Sequence, residues 1–145
     1  MRAGNDSFRS VTDEAPPLLP DERTMVGVLG IELLEAGEEI ATARLEVSDR
    51  VRQPYGIVHG GAYATLAETV VSHATAMAVG PDGMVAMGQS NYTSFLRPVS
   101  EGSVHAEARR KHRGQSSWVW EVEFTDDAGR LCALSRVTMA VRPRP

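Results

Sequence analysis

Glu68 is the one carboxylate in the stretch Gly60–Val79, which otherwise holds apolar residues, glycines, small hydroxyl residues and His73. A lone carboxylate in such company can attack a carbonyl carbon as a nucleophile or activate water as a general base. Just upstream stands His59-Gly60-Gly61. Glycines let a substrate approach the backbone closely. A helix N-terminus adds free N–H groups and positive potential. An amide there can hydrogen-bond a carbonyl oxygen and stabilise the oxyanion that forms on attack; one such donor is worth about 2.7–4 kcal/mol of barrier. Each feature also has a plainer reading. Glu68 is either covered and catalytic, or a solvated acid paired with a nearby base. The glycine pair either cradles a substrate or only permits a tight turn.

Other chemistries find less support. There is no Gly-x-Ser-x-Gly elbow of an α/β-hydrolase and no Gly-rich phosphate or dinucleotide loop. The four histidines lack metal-ligand spacing, so no metal site is expected. His59 reads as fixing the turn before the glycines, with a ligand role as the alternative. The dense basic run Arg109-Arg110-Lys111-His112-Arg113 reads as a solvated strand end; its functional alternative is a phosphate site, since arginine binds phosphate bidentately.

These residues need elements to position them. Between Gly60 and Val79, the residues Tyr63, Leu66, Ala67, Val70, Val71, Ala74, Met77 and Ala78 fall on one face at helical period. The opposite face carries Thr65, Glu68, Thr69, Ser72, His73 and Thr75. A face toward open water normally carries Lys, Arg and Glu. Small hydroxyls with one acid suggest a face covered by a second subunit or a ligand. Gly80-Pro81 is expected to end the helix.

Upstream, Met25 to Leu34 reads as a short helix feeding a strand. Ala41, Ala43, Leu45 and Val47 then alternate with polar residues as a half-buried strand does. Asp49 to Ile57 reads as a loop. Downstream, Val85–Val99, Val104–Arg109, Trp118–Thr125 and Leu131–Val141 read as strands, with a hairpin turn at Asp126-Asp127-Ala128-Gly129. One long helix against one antiparallel sheet is an α+β architecture. Residues 1–23 are polar with three prolines near their end and read as a flexible arm; residues 24–145 read as a single domain.

The composition fits one globular domain: 145 residues, 42% hydrophobic and 23% charged. A net charge of -4 argues against nucleic acid or an anionic membrane as partner. The single cysteine, Cys132, rules out an intrachain disulfide framework and points to a reducing cytoplasm. No apolar stretch reads as a membrane span.

The order Pro54-Tyr55-Gly56-Ile57-Val58-His59-Gly60-Gly61, an acid eight positions after the first glycine, then Asn91-Tyr92-Thr93-Ser94-Phe95-Leu96-Arg97-Pro98-Val99 and Asp126-Asp127-Ala128-Gly129-Arg130-Leu131-Cys132-Ala133, resembles the hotdog-fold acyl-CoA thioesterases. The similarity runs from about Gly27 to Arg144. It is closer to the 4-hydroxybenzoyl-CoA thioesterases, which use a helical Glu, than to the phenylacetyl-CoA thioesterases, which usually place Asp there. The resemblance implies a long central helix wrapped by an antiparallel sheet. It also implies two protomers sharing a continuous sheet, and a tetramer built from such dimers with the active site at the dimer interface.

The resemblance further implies hydrolysis of an aromatic acyl-CoA to free acid and CoA, with no cofactor, CoA being part of the substrate. Glu68 matches the catalytic carboxylate, Gly60 the backbone donor to the thioester carbonyl, and Gln53 a glutamine near the reacting carbonyl. Ser72 falls where the family has Thr. His59, Gly61, Arg97, Gln115, Ser116, Arg142 and Arg144 match the substrate and CoA side, although Gln115 replaces a small hydroxyl residue. An aromatic acyl group would stack among residues such as Tyr55, Tyr92 and Met87. The rival readings are a hotdog acyl-CoA hydratase or dehydratase, for which His59 and His73 would be needed beside an acid, and a non-catalytic acyl-CoA-binding protein.

Overall fold

The computed structural model describes residues 18–145, so most of the expected arm lies outside the described residues. Of its last residues, Leu18 and Leu19 are exposed and Asp21–Arg23 form one 3-10 turn. A short helix α1 (Met25–Leu29) leads through Gly30, at φ 72°, into strand β1 (Ile31–Ala36). Then follow β2 (Ile40–Glu46), the long helix α2 (Gly60–Val79), β3 (Met84–Phe95), β4 (Ser103–Arg113), β5 (Ser117–Thr125) and β6 (Leu131–Pro143).

The six strands form one antiparallel sheet in the order β1-β2-β4-β5-β6-β3. All six contact α2, so the sheet curls around the helix. This is the hotdog architecture. The strands alternate as their sequences predict: Ala41, Ala43 and Leu45, then Val104, Ala106 and Ala108, then Trp118, Trp120, Val122 and Phe124 are all buried. Against them α2 sets Leu66, Ala67, Val70, Val71 and Ala74. Each fully buried branched or aromatic side chain contributes roughly 1.5–3 kcal/mol, and the alanines let the helix lie close to the sheet. The β5–β6 turn is closed by Asp126, whose carboxylate accepts from the Ala128 and Arg130 amides, while Gly129 takes φ 75°.

α2 ends at Val79 with Gly80 as its C-cap, as expected; Gly80 stays in the right-handed helical region, so the chain runs on as a 3-10 turn, Gly80–Asp82, before Gly83 at φ 71°. Two other helix expectations are corrected. Met77 is exposed, because the sheet does not reach around that side of the last turns. Thr75 is fully buried: its hydroxyl donates to the Val71 carbonyl at 2.7 Å and accepts from Trp120 Nε1 at 3.1 Å. A hydroxyl that satisfies a helix carbonyl can enter the core.

The two edges differ. β1 carries Glu32 and Glu35 and a register irregularity between Leu33 and Glu35, the usual protections of an exposed edge. β3 holds twelve residues without one charge, and none of them is fully buried; Met87, Gly88, Gln89, Ser90, Tyr92 and Phe95 are exposed.

Candidate active site

The loop before α2 is folded back on itself. Gln53 and Ile57 pair through the Gln53 amide at 2.8 Å, the Gly56 amide returns to the Gln53 carbonyl, and Gly56 takes φ 83°. The His59 amide donates to the Val51 carbonyl at 2.7 Å. His59 is thereby set as the N-cap of α2, where its Nδ1 accepts from the Gly61 amide at 2.8 Å. The Ala62 amide donates to the His59 carbonyl. Among the described residues the Gly60 amide has no acceptor, so it is the free donor at the positive end of the helix.

That amide borders a cavity of about 510 Å³ lined by Gln53, Ile57, Val58, Tyr63, Phe95 and Arg97, among others. Gln53 Oε1 accepts from the Tyr55 amide at 2.7 Å, which leaves the side-chain NH₂ as its available donor. Tyr63 packs edge-on against Phe124, with centroids 5.4 Å apart, and tilted against Phe95 at 6.0 Å. Its buried hydroxyl has no partner, and burial pushes the phenol up to about 12. Phe95 and Tyr63 are lining residues that sequence pattern alone did not single out; only contacts between β3 and α2 reveal them.

Glu68 is exposed on the side of α2 that meets β3, with its carboxylate lying across Gly88. A Cβ at Gly88 would come 3.0 Å from Glu68 Cδ. Within one chain Glu68 and Gly60 do not converge: eight residues of α-helix separate them by about 12 Å along the axis, and Glu68 does not border the Gly60 cavity. Ser72, one turn on, is half-buried with its hydroxyl 3.7 Å from Met139 Sδ.

The other expected residues split between the two ends of the fold. Arg97 lines the cavity at the start of α2. Gln115 lies by Val79, Asp82 and Met84 at the far end. There Arg142 Nη1 donates to the Ser116 carbonyl at 2.6 Å, and the Arg144 amide donates to the Gly83 carbonyl. Arg97, Arg142 and Arg144 have no carboxylate partner among the described residues.

The basic run differs. Arg109 pairs with Glu107, Lys111 with Glu121, and Arg113 with Glu38, while Arg110 and Arg113 stack on Trp118 at 4.9 and 5.0 Å. Its cations are already engaged, which supports the structural reading of that run. Tyr55 is 90% exposed, and Tyr92 lies in a separate outer groove with Glu107, Arg109 and Glu123; the two rings do not form one pocket. Among the described residues no three His, Cys, Asp or Glu side chains cluster as metal ligands, and no helix is long and apolar enough to cross a membrane.

Residues 55–133 match the family model described as Thioesterase superfamily. The chain is 39% identical over 118 residues to the proofreading thioesterase EntH of Cronobacter turicensis, covering 81% of this chain and 85% of that one. It is 36% identical over 116 residues to the 1,4-dihydroxy-2-naphthoyl-CoA hydrolase of Listeria monocytogenes, covering 80% and 94%. Among solved structures, a mutant thioesterase from Pseudomonas aeruginosa superposes with a TM-score of 0.81 at 32% identity, over 85% of this chain and 88% of that one. A thioesterase from Haemophilus influenzae gives 0.80 at 33% identity, over 85% of each chain.

Proposed function

The chain belongs to the thioesterase superfamily, and from that premise we propose that it hydrolyses the thioester of an aromatic acyl-CoA, of the 4-hydroxybenzoyl or phenylacetyl kind, to free acid and CoA. Thioester hydrolysis itself follows from the family. The aromatic preference draws on the apolar cavity beside Gly60 and on a relative named for an aromatic acyl-CoA.

The observation that carries the mechanism is the free Gly60 amide at the start of α2, beside that cavity. The thioester carbonyl accepts from this amide and its carbon becomes more electrophilic. Glu68 then either attacks that carbon, expelling the CoA thiolate and leaving an anhydride that water cleaves, or takes a proton from the water that attacks it directly. Gln53 and Ser72 orient the carbonyl, the acid and the water. The reaction so written needs no metal or cofactor.

Glu68 and Gly60 of one chain lie too far apart along α2 to share a substrate. The uncharged edge strand β3 offers the solution: antiparallel pairing of β3 from two copies, about a two-fold axis, extends the sheet and sets the two α2 helices antiparallel. The Glu68 of one copy then approaches the Gly60 amide of the other. The same axis brings Gln115, Ser116, Arg142 and Arg144 of one copy toward the Gly60 cavity and Arg97 of the other, where the unpaired arginines and His59-Gly61 hold the CoA. Two such dimers would make the tetramer. A cytoplasmic setting suits the lone buried thiol of Cys132. The hydratase reading is weaker, since the matched family and the named relatives are thioester hydrolases.

Release of free thiol from benzoyl-type CoA esters by the wild type and by Glu68→Gln tests the proposal. A loss of several orders of magnitude in the variant is expected; equal turnover would remove Glu68 from the mechanism.

A further inference from the structure

A chain of side-chain hydrogen bonds runs from the core to the helix turn that carries Glu68. Ser135 on β6 is buried, and its hydroxyl lies 2.7 Å from Thr93 Oγ1 on β3, its register partner. Thr93 Oγ1 donates to Asn91 Oδ1 at 2.9 Å. The one Thr93 proton is thereby used, so Ser135 is the donor to Thr93. Asn91 Nδ2 in turn donates to the Ala64 carbonyl of α2 at 2.9 Å. In an α-helix that carbonyl is also the acceptor of the Glu68 amide. Every link points one way, and the chain ends on the peptide that anchors the Glu68 turn.

The strand contributes a second feature at the same place. The β3–β6 register shifts between Gly88 and Ser90, leaving an extra residue at Gln89. Such bulges re-aim neighbouring side chains and backbone. Here the shift stands beside Gly88, the one position whose missing Cβ makes room for the Glu68 carboxylate. The polar chain is half-buried to buried, so its members have few alternatives in water, and a lost partner would leave another unsatisfied.

We propose that Asn91 is a positioning residue for Glu68: its amide locks the Ala64–Glu68 turn onto β3, so that the carboxylate lies across Gly88 at the free edge of the sheet. Thr93 and Ser135 hold the Asn91 amide in the orientation that gives its N–H to the helix. The catalytic consequence rests on the reading of Glu68 as the reacting carboxylate; the positional one does not. Only an amide fits this post, since it must accept from Thr93 and donate to Ala64 at once. Asp would face the carbonyl with a second acceptor.

The test compares Asn91→Leu, Thr93→Val and Thr93→Ser with the wild type in two readouts: the Glu68 side-chain carbon resonances in ¹³C-labelled protein, and steady-state hydrolysis of benzoyl-CoA. Asn91→Leu is expected to shift and broaden the Glu68 resonances and to lower kcat by about 10- to 100-fold, because small misplacements of a reacting group are costly, with KM nearly unchanged. Thr93→Val moves both readouts the same way by less, and Thr93→Ser restores them. Placed on Glu68→Gln, Asn91→Leu costs nothing further. Resonances and kcat that stay at wild-type values overturn the proposal, as does a full additional loss on the Glu68→Gln background. If Asn91→Leu does not fold, the Thr93 pair decides by the same readouts. If Glu68→Gln itself turns over normally, the hydrolytic role of Glu68 falls, and the resonances alone judge the positioning.

Discussion

The ring of Phe95 lies across Gly60: a Cβ built at Gly60 would stand 2.8 Å from Phe95 Cζ and 3.0 Å from Cε1. The last residue of β3 thus closes over the first residue of α2, and a side chain at position 60 would have to displace the ring. Gly60→Ala pushes ring and helix start apart. Because the ring is 59% exposed and can swing away, the fold survives but the donor moves. A fall in kcat/KM of about 100-fold is expected, with partial recovery in Gly60→Ala combined with Phe95→Ala. Thiol-release kinetics on the three variants check this; full activity of Gly60→Ala would show that the amide is not the donor.

The proposed two-copy site predicts rescue by mixing. Gly60→Ala and Glu68→Gln homodimers each lack one group in both sites. A mixed dimer has one site missing both groups and one with neither missing. After subunit exchange of equal amounts, activity should rise to about a quarter of the wild type, half the dimers being mixed with one intact site each. A mixture no more active than its components would place both groups in one chain's site.

Thr75 and Trp120 form the polar link inside the core. Thr75→Val keeps the shape and strands the indole N–H without an acceptor, a loss of about 1–3 kcal/mol. Thr75→Ser should retain most of the stability. Urea midpoints at neutral pH measure both; a Thr75→Val midpoint equal to the wild type would mean that the indole bond contributes nothing.

Tyr63 makes the opposite case, a buried hydroxyl with no partner. Tyr63→Phe should raise the unfolding free energy at neutral pH by about 1 kcal/mol. Desolvation, helped by the fields of Cys132 and Asp126, holds the folded phenol up to about 12, against about 10 in the unfolded chain. The neutral phenol is therefore favoured in the fold. Its contribution is complete below pH ~10 and disappears as pH rises toward 12. The stability gap between Tyr63→Phe and the wild type should widen across that window in denaturant titrations. A gap that stays constant with pH contradicts this.

Local pattern carried much of the fold. The residues Gly60 to Val79 announce α2 through period and through glycines at both ends, and the alternation of apolar and polar residues announces β4 and β5. Thr75 and Met77 were misplaced because their burial depends on how far the sheet curls, which the helix period does not encode. Gly80-Pro81 marked the end of α2 at Val79; the 3-10 turn that follows was not legible, although Pro81 is compatible with the first turn of such a segment. The candidate residues Glu68 and Gly60 were legible from type and spacing. The roles of Phe95, Gly88 and Asn91 were not, because each acts through contact between β3 and α2. Nor did chain order reveal that β3 pairs with β6, the last strand, and so ends at an edge.

That pairing orders events in time. Met84 meets Pro143 and Phe95 meets Ala133, so β3 has no strand to pair with until β6 has been made. During synthesis on the ribosome, α2 can form early, but the shelf beneath its acid is assembled at the close, and with it the surface on which a second copy would settle. On the proposed reading of Glu68, a newly made chain cannot act until β6 has folded back against β3.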